Sequence, residues 1–139
     1  MNQKFKVFSH TADVGLAVRG KTLPKLFENA ALGMISLLFD SKKIKPKEAA
    51  PIAVRSVSWE SLLVDWLDEV LFQITVKHWG FCQFKVERLK PFELKAAGFG
   101  EKLDRKEKTL AREIKAVTYH DLKIKKGKSG YSARIVLDI

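Results

Sequence analysis

The chain has 139 residues, 26 Lys or Arg against 16 Asp or Glu, a single cysteine and 46% apolar residues. That length suits one core, since single domains run to about 100–150 residues, and the composition excludes collagen-like and intrinsically disordered chains. The longest uncharged runs, such as residues 29–39, fall short of the ~20 residues a membrane helix needs.

The elements follow in chain order. Residues 4–8 alternate apolar and charged side chains and predict a half-buried strand; residues 14–20 alternate likewise and predict its partner. Thr22 suits a helix N-cap and Pro24 fits the first turn. Leu23, Leu26, Phe27, Ala30, Ala31, Met34 and Leu38 then recur at helical steps. Residues 42–51, with two prolines, read as a loop, and residues 52–57 as a strand. Ser58 caps a second helix with Glu60 near its positive end; Leu62, Leu63, Trp66, Leu67, Val70, Leu71 and Ile74 form its core face, and Gly80 is the expected stop. Residues 81–89, 92–99, 113–119, 121–125 and 131–138 read as strands, the last two joined by a turn at Gly127-Lys128-Ser129-Gly130. Residues 1–139 are therefore expected to form a single α+β domain, with two amphipathic helices packed on mostly antiparallel sheet.

The N-terminus interleaves charge with apolar residues and has no signal-peptide core, and Cys82 has no disulfide partner. A reducing cytoplasm with no membrane contact is the expected setting. The formal charge is +10; residues 1–76 carry ten basic and eight acidic side chains, residues 77–139 sixteen and eight, with the excess gathered around residues 102–108 and 123–128. Such an excess attracts phosphate backbones or an acidic protein, or simply solvates exposed strands. No RNP-type, KH or zinc-finger pattern accompanies it.

Residues 15–22 match the P-loop expression G-x-x-x-x-G-K-[ST], and residues 135–138 could pass for a Walker B strand. A phosphate loop needs small residues that free its amides. Here three apolar residues and Arg19 fill the middle and alternate like a strand, which speaks against nucleotide binding.

Asp13 opens the second predicted strand and Asp138 closes the last, next to Ile139. From the residues alone these read as solvated strand ends, or as an all-oxygen cluster suited to Ca²⁺ or Mg²⁺ if the fold unites them. His10, His78 and His120 show no ligand spacing, and Cys82 reads as packed rather than reactive. Asp65, Asp68 and Glu69 make an acidic stripe on the second helix, either a solvent face or a docking surface.

Several segments together carry a resemblance: His10-Thr11-Ala12-Asp13-Val14-Gly15, Phe27-Glu28-Asn29-Ala30-Ala31, Leu63-Val64-Asp65-Trp66-Leu67, Gly100-Glu101-Lys102-Leu103-Asp104, Lys115-Ala116-Val117-Thr118-Tyr119-His120 and Leu137-Asp138-Ile139. In this order they closely resemble the archease family. The resemblance implies a non-catalytic accessory protein in tRNA processing, partner to the RNA-splicing ligase that joins a 3′-phosphate or 2′,3′-cyclic phosphate end to a 5′-hydroxyl. It implies that the partner promotes ligase guanylylation and multiple turnover, with RNA reached through the ligase complex. It also implies a divalent metal site at Asp13, Asp138 and Ile139, for Ca²⁺ in the first place with Mg²⁺ or Mn²⁺ as alternatives, and a functional position at Lys115. A general basic RNA-binding module and a P-loop nucleotide-binding protein stand as the alternatives. Oligomeric state is left open.

Overall fold

The computed structural model describes residues 4–9, 13–103 and 110–139. Its elements are β1 (Phe5–Ser9), β2 (Asp13–Gly20), α1 (Leu23–Ser36), β3 (Glu48–Arg55), α2 (Trp59–Thr75), β4 (Trp79–Lys90), β5 (Glu93–Lys102), β6 (Ala116–Thr118), β7 (Lys125–Gly127) and β8 (Gly130–Asp138), with a 3₁₀ turn at Ser41–Lys43. One sheet has the order β1-β2-β8-β6, with β7 also on β8; the other has the order β3-β5-β4. Every pairing is antiparallel. The α+β expectation holds.

Both helices begin as their sequences direct. The Thr22 hydroxyl accepts the Lys25 N–H at 3.3 Å with Pro24 in the first turn, and Ser58 and Ser61 form a reciprocal capping box. Their apolar faces meet both sheets and share one core. Trp66 is fully buried; its Nε1–H donates to the Phe27 carbonyl at 2.8 Å, tying α2 to α1. Its ring stands edge-on to Phe84 at 5.6 Å. Each such aromatic or aliphatic side chain stabilises the fold by about 1.5–3 kcal/mol on burial.

Carboxylates on the helices close sheet edges. Glu28 of α1, itself buried, accepts the Val86 N–H of β4 at 2.8 Å. Glu60 of α2 accepts the Ile124 N–H at 3.0 Å. Unpaired edge amides are thereby removed from competition with other strands.

Some expected boundaries move. Pro51 lies inside β3, paired with Ala97, rather than in a loop; β3 is an edge strand, where a missing N–H is tolerated. Gly80 does not stop α2. That helix ends at Thr75, and His78 (φ 63°) makes the left-handed turn into β4, where Gly80 pairs with Glu101. The expected strand at residues 113–119 shrinks to β6, and that at 121–125 is not formed except at Lys125, where β7 begins and runs on to Gly127. Between them the chain turns at Asp121 (φ 50°), and the Ile124 amide goes to Glu60 instead of a ladder. The Gly127–Gly130 turn forms as expected, with those two residues opposite each other.

Candidate functional site

β2 and β8 bury Val14, Leu16, Val18 and Ala133, Ile135, Leu137 on one face. By strand alternation Asp13 and Asp138 fall on the opposite face. In the β2–β8 register Asp13 stands directly across from Asp138. On the other side of β8, Ala116 pairs with Asp138, and the Lys115 N–H donates to the Asp138 carbonyl at 2.7 Å. β8 thus carries Asp138 between Asp13 of β2 and Ala116 of β6, with the Lys115 backbone one residue further along. Ile139 follows, its side chain packed against the core, which anchors the main chain beside the two carboxylates.

Directly opposed residues of an antiparallel pair have Cβ atoms about 4.5–5.5 Å apart, and like charges there repel. Among the described residues no Lys or Arg forms an ion pair with Asp13 or Asp138. The donors are all oxygen, the chemistry of Ca²⁺ or Mg²⁺ rather than of zinc. Among the described residues no three His, Cys, Asp or Glu side chains cluster for a metal. A cation here would therefore need main-chain oxygens and water, or a partner's groups, besides the two carboxylates.

The surroundings are ordered. The Phe8 ring lies over Gly15, where a Cβ would come within 2.2 Å of it. The Arg134 guanidinium sits 4.4 Å from the centroid of the same ring. On α2, Asp65 and Asp68 adjoin the segment that carries Lys115. Burial pushes the Tyr119 phenol up, and both aspartates add to this. Burial likewise pushes the Asp68 carboxyl up, opposed by the nearby Val117 backbone and reinforced by Asp65.

The P-loop match fails on geometry. Residues 15–20 are strand, paired with β1 and β8, so their amides are committed to ladders. Cys82 is partly buried and contacts the Phe99 carbonyl at 3.5 Å; burial, then nearby Glu101, raises its thiol, consistent with a packed role. His120 lies 3.3 Å from its neighbour Asp121 on the surface. His10-Thr11-Ala12, Asp104 and most of the basic run at residues 102–108 lie outside the described residues. No helix among the described residues is long and apolar enough to cross a membrane.

The sequence model of the archease protein family matches residues 5–139. The chain belongs to the archease family. An archease from Methanosarcina barkeri is 40% identical over 141 residues, covering 99% of this chain and 97% of that one. An archease from Pyrococcus abyssi is 35% identical, covering 99% of each chain. The solution structure of protein 1598 of Methanobacterium thermoautotrophicum superposes with a TM-score of 0.81 at 34% identity, covering 98% of this chain and 99% of that one. The crystal structure of an archease from Thermotoga maritima, described as a possible chaperone, matches at a TM-score of 0.67 and 23% identity over the whole of both chains, and shows the shared fold. Three of the segments that carry the resemblance meet at one sheet end: the start of β2 pairs with the end of β8, and Lys115, just before β6, bonds the Asp138 carbonyl.

Proposed function

We propose that this chain is a non-catalytic accessory factor of the RNA-splicing ligase, promoting its guanylylation and repeated turnover in tRNA processing, and that it acts through the Asp13–Asp138 corner. The observation that carries the reading is the register: of the four positions implied by the archease resemblance, Asp13 and Asp138 pair across β2 and β8, Ile139 follows Asp138, and Lys115, one residue before β6, bonds the Asp138 carbonyl. Asp13 and Asp138, with main-chain oxygens at Ile139, would hold a divalent ion, Ca²⁺ first. Two carboxylates fall short of the six to eight oxygens Ca²⁺ takes, so the remaining positions suit water or groups of a docked partner. When bound, the ion supplies positive charge beside phosphate oxygens. Lys115 is exposed and would place an ammonium at the same edge.

The test is ligase guanylylation with GTP, followed by multiple-turnover joining of a 3′-phosphate RNA, with and without this protein. Wild type should stimulate both steps; Asp13→Ala and Lys115→Ala should lose most of the stimulation. Equal stimulation by wild type and Asp13→Ala would exclude the corner, and no stimulation by wild type would exclude the accessory role.

A further inference from the structure

The other end of β2 holds a second feature. β2 spans eight residues, so at about 3.3 Å per residue its two ends lie roughly 23 Å apart. Where it passes into α1, an open groove of about 1420 Å³ runs between the α1 N-terminus, β4 and the β7–β8 turn. Lys4, Arg19, Lys21, Lys25 and Lys85 line it, all exposed, against one carboxylate, Glu28. Glu28 is spent within the fold, on Lys25 Nζ at 3.1 Å and on the Val86 N–H. Lys4, Arg19, Lys21 and Lys85 have no carboxylate partner among the described residues.

The walls are set by tight contacts. Gly130 adopts φ +130°, and a Cβ there would lie 2.4 Å from the Gly20 carbonyl, so the hairpin tip rests on the strand-to-helix turn. Asn29 Nδ2 donates to the Arg19 carbonyl at 2.7 Å, holding that turn to α1. The first turn of α1 contains no acidic residue, unlike that of α2 with Glu60, so its positive end adds to the field.

We propose that this groove binds the phosphodiester backbone of RNA. Clustered cations lacking internal partners are the electrostatic footprint of a polyanion site. Hydroxyls of Ser129 and Ser132 on the same lining suit sugar and phosphate oxygens. An acidic protein fits less well. The lining does carry aromatic groups, among them half-buried Phe5, Phe99 and Tyr131, but none of the large exposed hydrophobics lies there to form the apolar core of a protein interface. Rings beside clustered cations suit base stacking. The site goes beyond the ligase reading, being remote from the Asp13–Asp138 corner.

The experiment is fluorescence anisotropy of a labelled oligouridylate with the full chain over a KCl series. Wild type should bind, and the Arg19→Ala/Lys21→Ala/Lys85→Ala variant should bind at least about tenfold more weakly at 0.1 M salt, with the slope of log K against log salt reduced by about two to three. A charge-matched variant, Lys90→Ala/Lys95→Ala/Lys123→Ala, changes exposed lysines outside the groove and should keep most of the affinity. Thermal melts establish that both variants fold. No binding by wild type at low salt, or equal loss in the two variants, would overturn the proposal. Competition by polyglutamate as effective as by RNA of equal charge would reassign the groove to an acidic protein. The assay needs no ligase, so its failure leaves the guanylylation test of the corner untouched.

Discussion

Asp13 and Asp138 face each other across the β2–β8 ladder, and neither is ion-paired among the described residues. Opposed like charges in a ladder destabilise it by about 0.2–1 kcal/mol. In chelator, Asp138→Asn should therefore melt slightly higher than wild type. Added Ca²⁺ should reverse the order: wild type gains about 2.7 kcal/mol at a hundredfold excess over its Kd, and the variant gains little. Thermal melts with and without Ca²⁺ check both arms, and a variant as Ca²⁺-responsive as wild type would remove the cation from this corner.

Glu28 is a buried acid holding a β4 amide. Glu28→Ala leaves the Val86 N–H without its partner and should cost about 1–3 kcal/mol in denaturant titrations. Glu28→Gln keeps one acceptor and should lose less. Equal losses would mean that the hydrogen bond to Val86 contributes little.

Gly15 lies under the Phe8 ring with no room for a methyl group. Gly15→Ala should cost about 1–3 kcal/mol by overpacking. The same change in a Phe8→Ala background should cost clearly less, and a double-mutant cycle measures the difference.

Asp68 gives a pH signature. With its carboxyl raised above the ordinary 3.8 by burial, the folded state holds that proton more tightly than the unfolded chain. Its contribution favours folding below the unfolded value and is lost as pH rises through the folded one. Asn has nearly the same size and cannot titrate. The stability of Asp68→Asn relative to wild type should therefore grow between about pH 3 and pH 7. A flat difference would mean that solvent reaches the carboxyl freely.

Periodicity located both helices, because Trp66, Phe27 and their neighbours recur at steps that bury one face. Local chemistry located their caps at Thr22 and Ser58. What sequence could not show depended on long-range partners. Pro51 reads as a breaker until β3 is known to be an edge. His78 gives no sign that it, and not Gly80, takes the left-handed turn. The charge count draws attention to residues 102–108 and 123–128, whereas the groove cations come from the residue before β1, from β2 and the turn after it, from α1 and from β4, 81 positions apart between Lys4 and Lys85. The residues alone leave Asp13 and Asp138 as solvated strand ends or as an all-oxygen cluster, and the archease resemblance is what implies a shared site.

Placing β8 between β2 and β6 also orders the folding events. The β1–β2 pair, although made before β8, keeps one side of β2 open until residues 130–138 have been synthesised. Closing the sheet then requires residues more than a hundred positions apart to find one another, a slow class of event. Nascent molecules consequently pass through a stage with an unguarded strand border, the stage most exposed to misassociation with other chains.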